Sequence, residues 1–69
     1  MAERLETRLK DIRAELGLTQ AQLAEAVGVT RKTINTVENG VFVPSTLLAL
    51  KIARAVGRPV EQIFSISPG

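Results

Sequence analysis

The sequence predicts an all-α domain of five short helices, and two patterns carry that expectation. Apolar residues recur at steps of three and four, as in Leu5, Leu9, Ile12 and Leu16, which sets them on one face of a helix. Successive runs of this kind end at Gly17, Gly28, Gly40 and Gly57, residues suited to the left-handed cap that closes a helix. With 69 residues, the chain builds one core and one domain, residues 1–69.

The first helix is expected from about Glu6 to Leu16, with Glu6 and Lys10 four apart in the favourable orientation. Thr19-Gln20-Ala21-Gln22 is a capping box that opens the second. Leu23, Ala24 and Val27 form its inward stripe before Gly28. Val29 bridges the turn and Thr30 caps a third helix over about 31–39, with Ile34 and Val37 inward. Val41 to Pro44 reads as a loop. Ser45 caps a fourth helix running to about Val56, whose core set is Leu47, Leu48, Leu50, Ala53 and Val56. Pro59 suits the first turn of a fifth, short helix with Val60, Ile63 and Phe64. Ser65-Ile66-Ser67 alternates as a short C-terminal strand does, with Leu5 to Thr7 or another subunit as its available mate.

Composition narrows the function. The chain has no cysteine and no histidine, so neither disulfides nor zinc or haem ligation is expected, and no cofactor is implied. Small domains often gain stability from a partner subunit, so self-association is the expected supplement. No apolar run reaches the roughly 18 residues of a membrane span. Charges from Glu3 to Glu15 leave no room for a signal peptide, so a cytoplasmic protein is expected. Nine basic against seven acidic residues give a net charge of +2, too mild a bias to indicate nucleic acid by itself. Only Phe42 and Phe64 are aromatic, a poor basis for stacking on single strands.

Arrangement is more informative. Two short helices joined by a glycine-containing turn, over about 19–40, are what a helix-turn-helix requires. Ala24 allows the helices to cross closely. Gly28 is expected to sit in a turn with little room for a side chain, while Val29 and Ile34 fix the angle from beneath. The outer face of the third helix carries Arg31, Lys32, Asn35 and Thr36. Arginine and lysine suit guanine O6 and N7, and a threonine methyl suits the thymine methyl. Asn35, on the flank, suits a base or a phosphate. Gln20, at the start of the preceding helix, suits a phosphate. Each of these residues taken singly is ordinary solvated surface; their joint placement carries the argument.

Thr19-Gln20-Ala21-Gln22-Leu23-Ala24, Val27-Gly28-Val29-Thr30, Thr33-Ile34 and Val37-Glu38-Asn39-Gly40 resemble the phage repressor and Cro-like family, also called XRE. The resemblance continues through Pro44-Ser45, Leu50-Lys51-Ile52-Ala53 and Val60-Glu61-Gln62-Ile63-Phe64, spanning roughly Leu9 to Phe64. It implies a five-helix lambda-repressor-like DNA-binding domain of the short stand-alone type. It further implies base reading by Arg31, Lys32 and Thr36, and backbone contacts from Gln20 and Asn39; Asn35 is expected to join the base readers, and Thr30 and Thr33 the backbone contacts. A pair between Arg13 and Glu38 across the first and third helices is implied as well. The chain departs from the family at Val41-Phe42-Val43, where a basic or polar residue often follows the Asn-Gly. No side-chain phosphate contact is therefore expected there, and Phe42 either packs over the fourth helix or meets another protein.

The leading expectation is a homodimeric repressor of a palindromic operator in double-stranded DNA, with Val60, Ile63, Phe64 and Ile66 in the subunit contact. Its recognition helices would stand about 34 Å apart. An antitoxin-type protein that binds both a partner protein and its own promoter is the alternative; the short stretch after the fifth helix argues against it. No catalytic constellation, glycine-rich phosphate loop or small-molecule site is evident, so no enzyme is expected.

Overall fold

The computed structural model describes residues 3–68, so the two ends of the 1–69 span lie outside the described residues. The order is β1 (Arg4–Thr7), α1 (Leu9–Glu15), α2 (Gln20–Val27), α3 (Arg31–Glu38), α4 (Thr46–Val56), α5 (Val60–Ile63) and β2 (Phe64–Ser67). The five helices stand where they were expected, with a two-stranded sheet added. β1 pairs antiparallel with β2, Leu5 opposite Ile66 and Thr7 opposite Phe64. The strand expected near residue 65 therefore finds its mate within the chain.

The sheet corrects two boundaries. α1 begins at Leu9, not near Glu6, because residues 4–7 are drawn into β1. Thr7 then serves the helix from outside it, its Oγ1 accepting the N–H of Leu9 at 3.1 Å. Phe64 belongs to β2, since α5 stops at Ile63. A lone pair of strands is marginal in water. Here it is held by the Arg8 N–H donating to the Ile63 carbonyl at 2.8 Å, and by Phe64 packing on the core.

The core consists of Leu9, Ile12, Leu23, Ala24, Val27, Ile34, Val37, Leu48, Ile52, Val56 and Ile63. α4 differs from its expected pattern. Leu48, Ile52 and Val56, in steps of four, face inward, whereas Leu47 and Leu50 are 64% and 54% exposed. Apolar residues cover most of this helix, so its periodicity admitted more than one inward face. Packing against α2 selected one of them. Leu16, expected on the inward face of α1, is also exposed, because the helix has ended before it.

The turn between α2 and α3 shows what glycine does at position 28. Its φ of +76° is left-handed, where a Cβ costs about 1–2 kcal/mol. Nothing lies within 4 Å of a Cβ placed there. The expectation of cramped space is thus corrected: backbone conformation, not room, requires the glycine.

Candidate nucleic-acid interface

Two capped helices build this surface. Thr19 closes a capping box on α2, its Oγ1 accepting the Gln22 N–H at 3.0 Å while Gln22 Oε1 accepts the Thr19 N–H at 2.8 Å. The Thr30 hydroxyl accepts the Thr33 N–H at 3.2 Å at the start of α3. Val29 packs on the core beneath the turn, and Ile34 and Val37 are fully covered. With those two inward, Arg31, Lys32 and Asn35 are left exposed on the opposite flank of α3. Neither Arg31 nor Lys32 makes an ion pair among the described residues. Together with Gln20 and Thr30 they line an open concavity of about 610 Å3.

Thr36 is half-buried, and its hydroxyl donates back to the Thr33 carbonyl at 2.9 Å. The methyl is then the part left to meet an apolar atom. Thr33 is half-buried and its hydroxyl lies 3.0 Å from that of Thr30, so these two hydroxyls are engaged with each other. Asn39 ends α3 as its C-cap and is exposed.

A buried ion pair ties this surface to α1. Arg13 Nε donates to Glu38 Oε2 at 2.6 Å and Nη2 to Oε1 at 3.2 Å, while Nη1 donates to the Leu18 carbonyl at 2.8 Å. The Glu38 side chain is only 1% exposed and that of Arg13 is 15%. The hydrogen bonds to Glu38 raise the Arg13 pKa above its ordinary value, attraction to the carboxylate adds to this, and burial opposes it. A raised folded pKa means that this contribution to stability is complete below the ordinary arginine range and is lost only above it. Arg13 is therefore a permanent cation at any working pH.

Sequence reasoning missed what hangs on this pair. Gln20 Nε2 donates both to Glu38 Oε1 at 3.0 Å and to Asn35 Oδ1 at 3.2 Å. Asn35 Oδ1 also accepts from Asn39 Nδ2 at 3.4 Å. One polar network thus joins α1, α2 and α3, and it uses the amide donor that would have made the Gln20 side chain a phosphate anchor. The 18-residue separation of Gln20 and Glu38 left no local signal for it.

Residues 9–63, from the start of α1 to the end of α5, match the helix-turn-helix family model. The chain belongs to the XRE-type helix-turn-helix family. This is a non-enzymatic family of transcriptional regulators with a DNA-binding fold. An uncharacterized HTH-type transcriptional regulator of Methanothermobacter thermautotrophicus is 54% identical over 61 residues, covering 87% of this chain and 88% of its own length. Another, from Bacillus subtilis, is 45% identical over 60 residues, covering 87% and 91%. Among solved structures, the restriction-modification controller protein of Aeromonas hydrophila superposes with a TM-score of 0.76 at 33% identity, covering 80% of this chain and 83% of that one.

Two expected subunit-contact residues behave differently from each other. Ile63 is 1% exposed and belongs to the core, so its side chain is not available to a partner; this corrects the expectation. It turns inward because α5 is a single turn that must bury its last apolar residue to dock at all. Ile66, by contrast, is 66% exposed. Phe42 is 45% exposed and Val41 and Val43 more so, leaving the loop after α3 as an apolar tip. No helix among the described residues is long and apolar enough to cross a membrane.

Proposed function

We propose that this XRE-family chain is a homodimeric repressor that reads a palindromic operator with α3 in the major groove. One observation carries the reading: Arg31, Lys32 and Asn35 are exposed together on the flank of a helix whose opposite face is anchored in the core. Such a helix fits the major groove, where cationic and amide side chains find guanine and adenine edges. Arg31 and Lys32 serve as the principal base readers, with the Thr36 methyl against a thymine methyl. The first-turn N–H groups of α2 and α3, with Thr30, Thr33 and Asn39, hold phosphates. A regulator of this kind works beside the chromosome, in the cytoplasm.

The second subunit covers an apolar face. Antiparallel register sets Leu5, Phe64 and Ile66 on one side of the sheet. Leu5 and Phe64 also line a groove with Val43, Leu50 and Val60. Val43, Leu50 and Ile66 are each more than half exposed, a cluster that favours a self-contact. In this reading Val60, Phe64 and Ile66 make the subunit contact, with Leu50 and Val43 in place of Ile63.

Selection of bound fragments from random duplex DNA tests the reading directly. The expected result is an enriched inverted repeat whose affinity falls steeply with salt, because several phosphates are neutralised per dimer. Failure to enrich any sequence, or an affinity indifferent to salt, would refute it.

A further inference from the structure

We propose that Asn35 presents only hydrogen-bond donors to the operator and so selects guanine, never adenine, because the buried Arg13–Glu38 pair fixes the polarity of the amides that lead to it. The inference rests on the DNA-binding reading above and deepens it.

Arg13 donates to both oxygens of the Glu38 carboxylate, so both oxygens face the protein as acceptors. The group facing Glu38 Oε1 at 3.0 Å must then be the Gln20 nitrogen, not its oxygen. That same nitrogen lies 3.2 Å from the Asn35 side chain. An NH2 group needs an acceptor opposite it, so Asn35 must turn its Oδ1 inward. Asn39 Nδ2, at 3.4 Å, points to the same oxygen. Each amide orientation follows from the one before, and the carboxylate sets the first.

The consequence lies on the exposed flank of α3. The Asn35 oxygen is occupied twice within the protein, whereas its Nδ2 has no partner among the described residues. Bidentate adenine recognition needs the amide oxygen for N6–H2 and the nitrogen for N7. That arrangement would break both inward bonds. Guanine offers two acceptors, O6 and N7, and matches two N–H donors. A phosphate oxygen would satisfy the same donors, so the experiment separates the two.

The test compares operators selected from random duplex DNA by the wild type, Asn35→Asp and Glu38→Gln. Asp at this exposed position still accepts from Gln20 and Asn39 but offers an acceptor outward, which suits cytosine N4–H2. The expected result is one position per half-site that changes from guanine to cytosine in Asn35→Asp, by about tenfold or more in preference. Glu38→Gln lets the amide chain reverse, so adenine joins guanine at that position. Adenine selected there by the wild type would overturn the proposal, as would no change in Asn35→Asp or in Glu38→Gln. A loss of affinity in Asn35→Asp equal for all sequences would place Asn35 on a phosphate and overturn it too. Recovery of no enriched duplex by the wild type would instead refute DNA recognition itself, and this inference with it.

Discussion

Replacing Arg13 by methionine keeps most of the side-chain volume and removes the cation. Glu38, 1% exposed, would retain one donor, Gln20 Nε2, and lose both guanidinium bonds. Breaking a buried ion pair from one side costs about 3–5 kcal/mol. Arg13 is partly open to water at 15% exposure and Gln20 still helps, so we expect the lower end, about 3 kcal/mol. A 69-residue domain commands roughly 3–10 kcal/mol in all, so the variant would lose about a third of its stability or more. The double variant Arg13→Met/Glu38→Leu, which leaves no orphaned charge, should recover most of the loss. Urea unfolding at one fixed protein concentration reads both, since a dimer's stability depends on concentration. A loss under about 1 kcal/mol in the single variant, the value of an exposed pair, would refute the burial argument. A double variant as unstable as the single would refute the assignment of the cost to an orphaned carboxylate.

Gly28→Ala should destabilise the fold by about 1–2 kcal/mol through its left-handed φ, with Gly28→Asn milder; denaturant midpoints would show equal losses if bulk were the cause instead. Thr36→Ala should relax discrimination at one operator position by roughly 1–3 kcal/mol while sparing nonspecific binding, and an equal fall in both affinities would remove its base-reading role. Leu50→Glu should give folded monomers in sedimentation, its helical circular dichroism unchanged, whereas Ile63→Asp should unfold the chain because it buries a charge. A folded Ile63→Asp protein would contradict the core placement. Stability should show no step from Arg13 on raising the pH from 7 to about 11, since its raised pKa keeps the cation in place. An alkaline loss in the wild type that is absent from Arg13→Met would contradict this.

The local features of this protein were written in the sequence. Thr19, Thr30 and Ser45 each cap the helix predicted to follow them, and Gly28 and Gly57 end theirs. These signals act over one helical turn, where the chain's own hydrogen bonds decide the outcome. The inward residues of α3 were legible because polar positions separate them. The arginine and lysine of the candidate interface were legible for the same reason.

What tertiary structure alone decided involves choices between surfaces of similar chemistry. α4 offered Leu47, Leu48, Leu50 and Ile52 to the core, and only docking against α2 settled which would be covered. Ile63 and Ile66 are alike in type and three residues apart, yet one fills the core and the other stands in solvent. Strand pairing across about 60 residues took the first turn from α1 and settled on Leu5 to Thr7, one of the two mates the sequence offered, over another subunit. The polarity of Asn35 depends on a carboxylate reached through Gln20, from another helix. Amide side chains have no preferred orientation of their own, so only the three-dimensional network determines which atom each one shows.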